Sequence, residues 1–233
     1  MYFKHRHIDY YVENIPLLDE PFLIYDDKVN VLVVENQREF LNLVSDIEGQ
    51  TRKMEGSTVF SDESKLSDVS KAVEFVYQYY PFEINRKALL TKLYSVLRER
   101  VNSEFMPESL ELASEIQQFI FSVMDTMDCE LTMDDFECSI LFKSMNVRFA
   151  DEYESLPEAI IDYCKNVVAL LGDKIFVFVS LQCFVTPEEY QELTKTLLQH
   201  KYTILLIENT DRASDTYRVS ENRLVIDSNY SVL

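Results

Sequence analysis

Six carboxylates, Asp125, Asp128, Glu130, Asp134, Asp135 and Glu137, crowd between positions 125 and 137. A hard divalent cation is held by several anionic oxygens brought together on a bend, and Ca²⁺ takes six to eight at about 2.3–2.6 Å. A bound cation would also relieve the repulsion among so many acids. The register and glycine of an EF-hand are missing, so the candidate site is of another kind. A solvated acidic bend is the competing reading. Thr132–Met133–Asp134–Asp135 looks like an N-cap with acids in the first turn of the next helix, where the dipole favours negative charge by about 0.3–1 kcal/mol each. Capping accounts for Asp134 and Asp135 but leaves Asp125, Asp128 and Glu130 unexplained.

Other chemistry is poorly provided for. A phosphate-cradling loop of the form G-x-x-x-x-G-K-[ST] needs glycine amides and a lysine. After the first strongly apolar run the chain reads Val34–Glu35–Asn36–Gln37–Arg38, with an acid where phosphate would sit. Only three glycines occur, and Lys53 between Gly49 and Gly56 stands in the wrong order for that motif. The three histidines are His5 and His7 near the start and His200 at a helix terminus, where it reads as a dipole partner. Their scarcity, and four cysteines with no C-x-x-C pair, disfavour both a nucleophilic triad and zinc. Cys129, Cys138, Cys164 and Cys183 read as reduced thiols of a cytoplasmic protein.

The formal net charge of −19 over 233 residues argues against nucleic acid and anionic membranes as partners unless the fold or an oligomer segregates the charge. Lys143 and Arg148, just beyond the acids, and Arg52–Lys53 in an early loop are the basic groups placed to face DNA. The N-terminal segment Met1–Glu13 is charged and lacks the apolar stretch of a secretory signal. No run reaches the roughly 18–20 apolar residues of a membrane span, and the expected location is the cytoplasm.

The elements that must position these residues are of two kinds. Val29–Val34, Lys174–Val179, Tyr202–Ile207 and, more weakly, Leu224–Ile226 are apolar almost throughout, as strands covered on both faces are. Helices start at Ser155–Leu156–Pro157–Glu158 and Thr186–Pro187–Glu188–Glu189, both with capping-box spacing, and Gly172 is placed to end the first. Alternating helices and strands predict an α/β fold with a mainly parallel sheet. Between the halves, Leu89, Leu93, Leu97 and Val101 recur through Arg86–Glu104, and Leu112, Ile116, Ile120, Val123 and Met127 follow Pro107. These stripes predict an antiparallel helical hairpin whose apolar face must bury against the other arm, the core or another subunit. Gly49–Asp68 reads as a loop with one short strand at Thr58–Phe60. The predicted division is 1–85 and 134–233 for the α/β part and 86–133 for the helical arm.

Four segments together carry a resemblance: Pro16–Leu17–Leu18–Asp19–Glu20–Pro21; Met127 to Asp135 at the end of the arm; Lys174 to Ser180 followed by Phe184–Val185–Thr186–Pro187–Glu188–Glu189; and Thr203 to Glu208. In pattern and order they resemble the CRISPR-associated adaptation protein of type II-A systems, over most of the chain from Pro16 onward. The resemblance implies an α/β head similar to a degenerate P-loop ATPase core, with a projecting helical leg. It further implies a non-catalytic homotetramer, a calcium-stabilised ring whose positively lined hole takes double-stranded DNA ends. Such a ring works with the integrase pair and the RNA-guided nuclease in spacer acquisition, a step of antiviral defence. The family's calcium-binding acids fall within Asp125, Asp128, Glu130, Asp134, Asp135 and Glu137, and Lys143 and Arg148 fall where pore-facing basic residues are expected. DNA binding should be weak, salt-sensitive and set by topology. Two alternatives stand beside this: an acidic protein-interaction scaffold without DNA binding, and a nucleotide-hydrolysing enzyme on the same core.

Overall fold

The computed structural model describes residues 10–13, 18, 20–62, 65–212 and 221–232. Pro16, Leu17 and Asp19 of the first resembling segment, His5 and His7 lie outside them. In chain order the elements are β1 Tyr10–Glu13, β2 Phe22–Ile24, β3 Val29–Val34, α1 Gln37–Thr51, β4 Val59–Asp62, β5 Lys65–Leu66, α2 Val69–Ala72 and β6 Val73–Val76. They continue with α3 Lys87–Ser103, α4 Met106–Met124, α5 Ser139–Ser144, α6 Leu156–Leu171, β7 Ile175–Val179, α7 Pro187–Gln199, β8 Thr203–Glu208 and β9 Glu221–Ile226. A 3-10 turn, Leu181–Cys183, follows β7. Two compact units result, one of residues 1–83 with 152–233 and the other of residues 84–151.

The first unit is built on a five-stranded, all-parallel sheet in the order β6-β7-β8-β3-β9. The fold class is α/β with a mainly parallel sheet, as the apolar runs predict. Every residue of β3 and β7 is buried, because both faces of the sheet are covered. One face packs Leu32, Val34, Val177, Leu205 and Ile207 against Leu43 and Ile47 of α1 and against Phe22, Ile24 and Phe60. The last three come from a second sheet, antiparallel and in the order β2-β1-β4-β5. On the other face lie α6 and α7, with Tyr163, Val167, Leu193 and Leu197 buried. At the second position of β3, Asn30 points its amide into the core, donating to the carbonyls of Tyr25 (2.9 Å) and Ile204 (2.8 Å) and accepting from the Tyr25 amide.

The helix signals hold with one adjustment. Thr186 and Glu189 form a complete capping box, the threonine oxygen accepting from the Glu189 amide and the Glu189 carboxylate from the Thr186 amide at 2.8 Å. Ser155 accepts from the Glu158 amide, but Glu158 reaches back to the amide of Glu154 instead of Ser155. Gly172 ends α6 at φ 80°, a conformation that favours glycine. In the stretch Gly49–Asp68 the short strand expected at Thr58–Phe60 is present as β4, and the end of α1 and strand β5 are additional to the predicted loop. Asp46 of α1 organises it, accepting from the amides of Ser57 (2.8 Å) and Thr58 (2.7 Å) and from the Gln50 side chain.

The second unit is helical but is bounded differently from the predicted 86–133. It runs to Asp151 because α5 packs with the arm: Leu141, Phe142 and Cys138 share an apolar groove with Leu97 and Val101 of α3 and Leu112 of α4. Its two ends are tied by paired hydrogen bonds between the Asn85 side chain and the backbone of Phe149, both 3.0 Å. Helices α3 and α4 are separated by Glu104 and Phe105 alone. No residue of α4 is fully buried. Ala113, Ile116 and Ile120 are half-buried, whereas Leu112 and Val123 of the predicted stripe are exposed.

Candidate functional site

The acidic segment follows directly from α4. Asp125 caps that helix, and Asp128 to Glu137 run through bends and irregular backbone to Cys138. All six carboxylates are exposed. The proposed capping role for Asp134 and Asp135 is not met either, since α5 starts only at Ser139 and has no side-chain cap. Among the described residues, no group of three or more His, Cys, Asp or Glu side chains is placed to hold a metal ion. The acids of one chain in this arrangement therefore do not fit a calcium cage, which needs six to eight converging oxygens.

The four basic candidates belong to different units. Arg52 and Lys53 follow α1 in the first, where Arg52 pairs with Glu48 one turn earlier and Lys53 turns the chain at φ 65°. Lys143 and Arg148 lie in the second unit, both exposed. The ammonium of Lys143 sits 5.7 Å from the centre of the Tyr94 ring, and Arg148 lies 3.6 Å from Asp151. These are solvated contacts worth little individually, so a phosphate can displace them.

At the position a nucleotide loop would occupy, β3 passes into α1 through Glu35 and Asn36. Asn36 caps the helix, accepting from the amides of Arg38 (3.0 Å) and Glu39 (3.3 Å). A side chain thus takes two amides that a P-loop would offer to phosphate.

The sequence reading missed a charged network on the α7 face of the sheet. Register places Glu221, Arg223, Leu206 and Glu208 on the same side as Val29, Val31 and Val33. Arg223 donates through Nε to Glu221 (2.9 Å) and through Nη1 to Asp211 (2.8 Å). The Tyr190 hydroxyl donates to Glu221 at 2.6 Å. Burial, with the charge of Glu221, pushes the Tyr190 hydroxyl far above its usual value and keeps it neutral. Glu208, at the carboxyl end of β8, accepts from the Gln182 amide at 3.1 Å. Burial pushes its carboxyl up to about 7, against the opposing pull of that amide and of Arg212 and Arg223. Beside the network a cleft of about 330 Å³ is lined by Gln182, Thr186, Pro187, Tyr190 and Arg212, at the carboxyl ends of parallel strands where ligands of open α/β sheets commonly sit. Charges at strand ends read as solvated in a sequence, and only the alternation of Glu221, Arg223 and Val225 carried a signal.

Comparison with known proteins gives one family and several structural likenesses. The crystal structure of Stu0660 of Streptococcus thermophilus superposes with a TM-score of 0.56 at 13% identity, covering 87% of this chain and 69% of that one. A nucleotide-free ATP-binding cassette from an ABC transporter gives 0.49 at 14% identity, covering 95% of this chain and 88% of that one. The ADP conformation of MJ1267, also an ATP-binding cassette, gives 0.48 at 12% identity over 99% and 90%. The curated proteins give no match. A family model described as CRISPR-associated protein (Cas_Csn2) matches residues 50–230 of the 233. The chain belongs to the Csn2 family of CRISPR-associated proteins.

Proposed function

We propose that this protein serves CRISPR spacer acquisition as a ring of four copies that admits double-stranded DNA ends and itself performs no chemistry. It would act alongside the integrase proteins and the RNA-guided nuclease of the same system. The observation that carries the reading is α4. Leu110, Phe119, Phe121 and Val123 on this helix are 61%, 69%, 51% and 50% exposed in the single chain, two on each side of its half-buried stripe, and large apolar side chains gathered in the open mark an interaction surface. Membership of the Csn2 family supports the CRISPR role. With a net charge of −19, DNA can be held only where assembly gathers basic groups, and Lys143, Arg148, Arg52 and Lys53 are the candidates. No step of this reading passes through calcium.

The test is a gel-shift series with linear and covalently closed circular duplex, each with Ca²⁺ and with chelator. Binding of linear DNA alone supports an end-threaded ring, and loss of that binding in chelator restores the calcium expectation. Equal binding to both forms rejects threading. A second reading, an acidic scaffold that binds no DNA, is favoured by the net charge of −19. It predicts no shift of either duplex at modest salt. Changing Lys143 to Ala should lower the slope of log affinity against log salt by about one if that residue meets phosphate.

A further inference from the structure

The charged network and the neighbouring cleft are joined through Gln182 and Tyr190. Glu208 is 1% exposed. The charges that act on it are Arg212, from the segment after β8, and Arg223 of β9, and the network around Arg223 also holds the Tyr190 hydroxyl and the carboxyl groups of Glu221 and Asp211. Three carboxyl groups thus stand against two guanidinium groups. Arg223 is shared between Glu221 and Asp211, and Arg212 donates to the Gln182 carbonyl at 2.9 Å, where it lines the cleft. Glu208 takes its hydrogen bond from the Gln182 amide. A buried carboxylate whose neighbouring guanidinium groups bond elsewhere is costly, so the arrangement favours a proton on Glu208.

We propose that Glu208 is a proton-operated latch on the Leu181–Cys183 turn: protonated, it leaves Arg212 on the Gln182 carbonyl, and ionised, it draws the Arg212 guanidinium onto itself and reshapes the mouth of the cleft. Gln182 is the linkage, because its amide meets Glu208 while its carbonyl meets Arg212. The Glu208 carboxyl is raised to about 7 by burial, which sets the exchange near neutral pH. Tyr190 stays neutral across that range and does not share the proton.

Carbon-13 and nitrogen-15 resonance of the full chain, followed from about pH 5.5 to about 8.5 across the neutral range, tests this. The Glu208 carboxyl carbon, the Gln182 amide and the Arg212 Nε should shift with one shared midpoint near neutrality. In Glu208→Gln the shifts of Gln182 and Arg212 should vanish. A Glu208 titration in the ordinary carboxylate range overturns the proposal, as does an Arg212 signal that stays flat while Glu208 titrates. The titration of the unmodified protein decides both points without the variant.

Discussion

Strand β7 buries all five of its residues, whereas α4, with Leu110, Phe119, Phe121 and Val123 along nineteen residues, buries none completely. Both are rich in apolar side chains. In the sheet unit the chain supplies both covers, α1 and the small antiparallel sheet on one face and α6 with α7 on the other. In the helical unit α5 is six residues long, too short to cover a nineteen-residue helix at about 1.5 Å of rise per residue. The same driving force, removal of apolar surface from water, is satisfied within the chain in one unit and is left unmet along much of α4 in the other.

The contrast can be broken most sharply in the sheet. Leu206→Ala, at a position with no exposure, should cost about 2–5 kcal/mol in denaturant unfolding. A smaller loss would mean that the sheet core is looser than the structure shows. Next comes the pH dependence of the same core. The folded-state value of Glu208, about 7, lies above its ordinary 4.5, so the folded state binds the proton more tightly than the unfolded. Its destabilising contribution is absent below pH 4.5, grows as the pH rises and is complete above about 7, where it amounts to roughly 3 kcal/mol. Glu208→Gln should therefore be more stable than the parent at pH 8 and gain nothing at pH 4, as read from paired unfolding curves.

Asp46→Ala should cost about 1–3 kcal/mol by leaving the Ser57 and Thr58 amides without their acceptor. Burial works to raise the Asp46 carboxyl, yet the hydrogen bonds from Thr58, Ser57 and Gln50 outweigh it and hold the group below the usual range. The stability it confers is present above pH 3.8 and is lost as the pH falls through its lowered value, which acid unfolding of the variant and parent would show. Thr186→Ala removes half of the capping box and should cost about 1 kcal/mol. The smallest effect on folding belongs to Phe119→Ala, under about 0.5 kcal/mol when single chains are unfolded at high dilution.

The two units were unequally legible. Strands β3, β7 and β8 could be read from nearly unbroken apolar runs, because a strand buried on both faces has no polar alternation. The starts of α6 and α7 could be read from Ser155 and Thr186. Strand β6 escaped because Val73–Val76 contains Glu74, whose carboxylate is bonded to the buried Tyr163 hydroxyl. Helix α1 escaped because only Leu43 and Ile47 among its apolar residues are buried. The candidate site fared worse. Spacing placed six carboxylates close in sequence, but irregular backbone from Asp128 onward does not converge them. The Glu208–Arg223 network depends on strand order β8-β3-β9, which brings residues distant in the chain onto one face and leaves no local pattern.

The claim that α4 is completed by other copies of the chain is tested most directly by solution mass. Sedimentation of the parent protein beside a Phe119→Ser, Phe121→Ser double variant should give four chains for the parent and a smaller species for the variant, with unchanged circular dichroism. A parent that sediments as a single chain, or a variant that keeps the parent's mass, would contradict it.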